Sequence, residues 1–159
     1  MLDLAFNTKN GPVSLNDIAI RQKISFKYLE KLVRKLKAAG LIESRRGACG
    51  GHELARDRER ISVGQIVRVL EEQSAIAACA ERLDYECGYC KEASDCLARL
   101  VWIEASKALF ACLDEITLDI LVNQRQDFMK NGSQKKNMKI RIKRAHAGRP
   151  SKPKLSRSP

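Results

Sequence analysis

Apolar residues early in the chain recur at helical spacing, then alternate with polar ones, then return to helical spacing. In "VSLNDIAIRQK", Leu15, Ile18 and Ala19 share one side, and Ser14 stands three residues before Asp17 as in a capping box. "ISFKYLEKLVRKLKAAG" follows after one turn, with Ser25 as the expected cap, Leu29, Leu32, Val33 and Leu36 on one face, and Gly40 as the stop. The opposite face carries Lys27, Glu30, Lys31, Arg34 and Lys35. Two short helices joined by a tight turn, the second amphipathic with a basic outer face, predict a helix-turn-helix. A chance pair of core helices would show the same pattern, so the next segment decides between them.

That segment, "LIESRRGACGGHELAR", places two short extended runs around a tip with Gly47, Gly50 and Gly51, which a hairpin needs where φ turns positive. Arg45 and Arg46 fall at the tip, where guanidinium groups can enter a minor groove or clamp phosphates. Two helices followed directly by a basic, Gly-rich hairpin predict a winged helix-turn-helix. "ISVGQIVRVLEEQ" then starts with Ser62 and Gln65 in capping-box spacing and predicts one more helix. Beyond Cys96, "LARLVWIEASKALFACLDEI" has Leu97, Leu100, Val101, Ala105, Ala108, Leu109, Cys112, Leu113 and Ile116 at helical spacing, with Trp102 and Phe110 widening the arc. One neighbour cannot cover so wide an apolar stripe, so this helix is expected to pack against a second copy of itself. The expected fold class is mainly α with a small β-hairpin wing.

Charge changes the picture through its location. The net charge is +11, yet residues 130–159 hold eleven Lys and Arg and no acid, which leaves nineteen basic against nineteen acidic residues in the rest. With few large apolar residues and no usable period, this tail is expected to be disordered and suited to a polyanion; a solubilising tail without a specific partner fits the same composition. No apolar run approaches the roughly 18 residues of a membrane span, and the start lacks the pattern of a secretory signal, so the expectation is a cytoplasmic chain with no membrane partner. No Ser/His/Asp, Cys/His or paired-carboxylate arrangement suggests catalysis, and the chain is not expected to be an enzyme.

In a reducing compartment, clustered cysteines are more often metal-binding or redox-active than disulfide-bonded. "CAERLDYECGYCKEASDC" sets Cys79, Cys87, Cys90 and Cys96 within eighteen mostly polar residues. Spacing alone leaves structural zinc and an iron-sulfur cluster both open.

"SLNDIAIRQKISFKYLEKLVRKLKAAGLIESRRGACGGHELAR", "ISVGQIVRVLEE", the cysteine segment, "CLARLVW" and "ITLDILVN" occur in this order in the IscR-like iron-sulfur cluster regulators, a bacterial family of winged-helix transcription factors, which residues 1–123 resemble. The resemblance is specific in "YLEKL", "RRGACGG" and "CLARLVW" taken together. It implies a homodimer that binds a double-stranded DNA operator and carries a cysteine-ligated cluster, usually [2Fe-2S], whose status alters promoter choice. Base-reading positions match Lys27, Tyr28, Glu30 and Lys31, and the wing arginine matches Arg46. Lys27 stands where a small hydroxyl residue is expected, which leaves the operator open. Chemistry supports these roles separately, since a carboxylate such as Glu30 facing DNA is repelled by phosphate unless it accepts from cytosine N4. Its structural alternative is an i,i+4 pair with Arg34.

Cys90 and Cys96 match the family's second and third ligands, and Cys79 the first. Some members present a histidine where this chain has Arg99, which stays protonated and offers no lone pair. Cys87 could supply a fourth thiolate, suiting [2Fe-2S] or [4Fe-4S]. Family members usually carry further residues ahead of the segment matching "MLDLA", so whether Met1 is the true start stays open. The expected layout is a winged helix-turn-helix in 1–72, with the helix-turn-helix about 14–38 and the wing about 41–56. A cluster-binding loop in 73–96, a dimerisation helix and return segment in 97–123 and the basic tail in 130–159 follow. The alternative is a zinc- or thiol-stabilised protein-interaction module with a non-specific nucleic-acid-binding tail.

Overall fold

The computed structural model describes residues 1–7, 11–47, 50–71, 75–80 and 96–130. Cys87, Cys90 and the tail beyond Lys130 lie outside the described residues.

The helix-turn-helix forms where the apolar spacing places it. After α1 (Leu2–Asn7) come α2 (Leu15–Gln22) and α3 (Phe26–Ala38). Ser14 accepts from the Asp17 N–H at 3.1 Å and Ser25 from the Tyr28 N–H at 3.2 Å, so each helix opens on a side-chain cap. Both bonds of a capping box are made at Ser62, where Gln65 reaches back to the cap's own N–H. The stop at the end of α3 is a Schellman turn: Gly40 takes φ +66°, the Gly40 N–H donates to Lys37 and the Leu41 N–H to Leu36. Arg56 covers carbonyls still open there, donating to Gly40 and Ala39.

Strands β1 (Ile42–Arg45) and β2 (Gly51–Leu54) pair antiparallel with Ser44 opposite His52 and Arg45 opposite Gly51. Val13 adds a bridge to His52 through two backbone hydrogen bonds of 2.8 and 2.9 Å, tying the wing to the chain ahead of α2. A single 3-10 turn (Arg58–Arg60) leads into α4 (Val63–Leu70); another (Ala78–Ala80) precedes α5 (Leu97–Glu115), and α6 (Leu118–Lys130) follows at once.

One apolar core organises these elements. Leu4, Ile18, Leu29, Val33, Leu36, Leu41, Ile42 and Ile61 pack together with Leu118 and Val122 of α6. After α5 the chain turns back, and α6 packs on the winged domain. The Leu118 N–H donates to Ile61 at 2.9 Å and the Val63 N–H to Ile116 at 2.8 Å, a short strand-like bridge that brings the far end of α5 against the start of α4. Asp3 on α1 is fastened to α2 by Arg21, at 2.6 and 3.0 Å, and by Gln22 at 3.0 Å.

The periodicity of α5 marks an apolar arc but does not say which face is covered. Within this chain the first part of the arc faces solvent, with Leu97 77% exposed, Val101 64% and Leu100 57% and with Trp102 and Leu109 also open, whereas Ile116 at its far end is buried. The buried strip consists of Arg99, Ile103 and Ser106, at i, i+4 and i+7.

Candidate functional site

The capped start of α3 sets which side chains can meet a duplex. Leu29, Val33 and Leu36 point into the core, which turns Lys27, Tyr28, Glu30, Lys31 and Arg34 outward, all exposed. Among the described residues no ion pair joins Glu30 to Arg34, so the structural alternative for Glu30 is not formed. The two wing arginines differ. Arg45 is held by Glu53 across the hairpin, whereas Arg46 is exposed and no pair engages it among the described residues. His52 lies across from Ser44, with Oγ and Nδ1 3.1 Å apart. Burial first, then the charge of Lys37, pushes its imidazole below the ordinary range. It therefore adds no charge to the wing near neutral pH.

The second constellation lies at the start of α5. Cys96 is the helix N-cap and Cys79 sits in the 3-10 turn ahead of it; both are half-buried and both are free thiols. Arg99 connects them: its N–H donates to the Cys96 carbonyl at 3.1 Å, and its Nε donates to the Cys79 carbonyl at 2.8 Å. Ser106, two turns along, accepts from the Ile76 N–H at 3.0 Å and donates to the Trp102 carbonyl at 2.7 Å. By residue type Arg99 stands out only as a side chain that cannot ligate, and nothing in residue type singles out Ser106. A polar residue at each end of an i, i+4, i+7 strip was the signal available.

The other end of α5 is anchored by charge. Arg68 of α4 makes two 2.7 Å bonds to Asp114 and lies over the Phe110 ring at 4.4 Å. Gly64 makes this approach possible, because a Cβ there would stand 2.0 Å from Asp114 Oδ1 and 3.1 Å from its backbone nitrogen. The Arg68 guanidinium holds the Asp114 carboxyl below its ordinary range, and Arg21 does the same for Asp3. Depressed carboxylates stabilise the fold above their ordinary titration and lose that contribution as pH falls through the folded-state value. The urea midpoint should therefore drop as pH goes below about 4. Asp3→Asn with Asp114→Asn should be less stable at pH 7 and lose less on acidification; an unchanged pH slope would mean that these pairs contribute nothing.

A family model described as Rrf2, iron-dependent transcriptional regulator, matches residues 1–124. The chain is 44% identical over 131 residues to the protein rrf2 of Nitratidesulfovibrio vulgaris, covering 82% of this chain and 85% of that one. Among solved structures, the IscR of T. potens is 36% identical with a TM-score of 0.62, covering 84% of this chain and 83% of that one. CymR, described as the global cysteine regulator of B. subtilis, is also 36% identical, with a TM-score of 0.59 over 77% of this chain and 86% of its own.

Proposed function

The chain belongs to the Rrf2 family of iron-dependent transcriptional regulators, and we propose that it reads a duplex operator as a homodimer while its cysteine segment carries an iron-sulfur cluster. Regulation of transcription, not catalysis, is what the family description and its relatives' names state. Lys27, Tyr28, Glu30 and Lys31 read bases from α3, with Arg46 in the minor groove or on phosphate. Arg45 contacts the duplex beside it, and its pair with Glu53 fixes its place on the hairpin. The exposed arc of Leu97, Leu100, Val101, Trp102 and Leu109 supports pairing of α5 with the α5 of a second copy. Such pairing sets two recognition helices at a fixed separation. Among the described residues no helix is long and apolar enough to cross a membrane.

The observation that carries the sensing reading is that Arg99 joins the Cys79 backbone to the start of a 19-residue helix that Cys96 caps, with both thiols free and half-buried. Soft thiolates suit iron-sulfur ligation, and the partial positive charge of a helix N-terminus favours the negative charge of such a unit. This donor set fits the group. Cys79, Cys90 and Cys96 hold it, with Cys87 as fourth thiolate because Arg99 is protonated. When bound, the group supplies one-electron redox chemistry and lability to oxidants; the type, [2Fe-2S] before [4Fe-4S], follows the family resemblance.

Purification without oxygen, followed by visible and electron paramagnetic resonance spectra, tests the sensing reading. Cys79→Ser, Cys90→Ser and Cys96→Ser should each abolish charge-transfer absorption, and Cys87→Ser should weaken or shift it. A colourless wild type with stoichiometric zinc would instead establish the zinc-stabilised alternative. Operator reading is tested separately: Glu30→Ala or Arg46→Ala should change discrimination among operator variants by about 1–3 kcal/mol per lost base contact. Equal losses on operator and random duplex would assign Glu30 no part in base reading.

A further inference from the structure

A guanidinium taken out of water is unfavourable unless its donors are engaged, so a buried arginine marks a place where the chain has a use for that geometry. Arg99 is 3% exposed, on the face of α5 that this chain covers. Its main chain meets Cys96 and its side chain meets Cys79, so one residue bridges the main chains of both thiols. Ser106 secures the same segment farther along α5 through Ile76. The neutral fastening lies away from the cysteines and the permanently charged one lies beside them.

We propose that Arg99 is the positioning residue of the cysteine site, fastening the Cys79 main chain to the end of α5 that Cys96 caps so that both thiols are presented together. The fastening is a property of the chain itself; only its bearing on metal capture rests on the cluster reading above. Releasing Arg99 frees Cys79 while leaving Cys112, exposed farther along α5, as it was.

The full chain, stripped of metal under reductant and without oxygen, is alkylated with iodoacetamide, and modification of Cys79 and Cys112 is followed by peptide mass spectrometry. Cys112 serves as the internal reference, at concentrations where the chain is monomeric and this thiol is exposed. Arg99→Met should raise the ratio of Cys79 to Cys112 rates by at least about tenfold, the scale of one lost hydrogen bond to a charged group. Arg99→Lys, which keeps the charge without the planar fork, should give a smaller rise and carries the test if Arg99→Met does not fold. Affinity for cobalt(II), read from thiolate-to-metal absorption, should fall for Arg99→Met and recover in part for Arg99→Lys. A ratio unchanged in the folded variants, or Cys79 and Cys112 accelerated equally, overturns the proposal. A raised ratio in a chain that never assembles a cluster retains the fastening and rejects the cluster reading instead.

Discussion

Replacing Leu118 by alanine is expected to destabilise the chain by about 2–5 kcal/mol and to remove duplex binding with it. Leu118 is 1% exposed and shares the core with Ile61, Leu41 and Val122. Its backbone also donates to Ile61, so the neighbouring chain cannot easily slide in to fill the space that the lost methyls leave. A domain of this size holds only about 5–15 kcal/mol in total, so such a loss is a large part of it. Duplex binding is expected to fall because the same core orients α3. Leu109→Ala, on the exposed arc of α5, provides the contrast. At concentrations where the chain is monomeric it should change stability by no more than about 0.5 kcal/mol, while weakening self-association. Urea titrations followed by circular dichroism, with gel-shift assays alongside, distinguish the two. A cost below about 1 kcal/mol for Leu118→Ala would place α6 outside the cooperative core.

Deleting residues 130–159 should weaken binding to every duplex by a similar factor and flatten its salt dependence. The segment carries eleven basic residues and no acid, and the remainder of the chain is balanced at nineteen of each sign. Every phosphate that the tail neutralises contributes about 0.9 to the slope of log K against log salt. If about half of those charges meet phosphates, the slope should fall by about five. At low salt that corresponds to orders of magnitude in affinity, without a change in operator preference. Fluorescence anisotropy from 50 to 300 mM salt, roughly the range over which counterion release is read, measures this on operator and random duplexes. An unchanged slope would make the tail a bystander to DNA; a loss confined to the operator would give it a sequence-reading role.

The two constellations differed in how far the chain announced them. Ser25, the run Leu29, Leu32, Val33 and Leu36, and Gly40 span α3 and its two ends. Caps, periodicity and stop are short-range signals, and together they determine which side chains face outward. The identical residue type at positions 45 and 46 concealed a difference that pairing imposed, because only the folded hairpin brings Glu53 to Arg45. At the cysteine site, residue type alone was informative: Cys79 and Cys96 stood out, and Arg99 could be dismissed as a ligand. Its role as a hydrogen-bond donor to Cys79 could not be read, since a contact twenty residues away along the chain leaves no periodic trace.

By itself, the sequence determined the helix-turn-helix, the hairpin wing, the outward set on α3, the apolar arc of α5 and the uneven charge. Each follows from side-chain chemistry at neighbouring positions, where backbone geometry alone relates the residues. Only the tertiary structure decided that Arg99, Ile103 and Ser106 form the covered face of α5. It alone decided that Asp114 reaches Arg68 over Gly64, and that Leu118 closes the core begun by Leu4 and Ile18. These contacts join segments tens of residues apart. Which of several compatible faces is buried depends on the balance of all the surfaces that can be covered at once, and no single stretch of chain contains that balance.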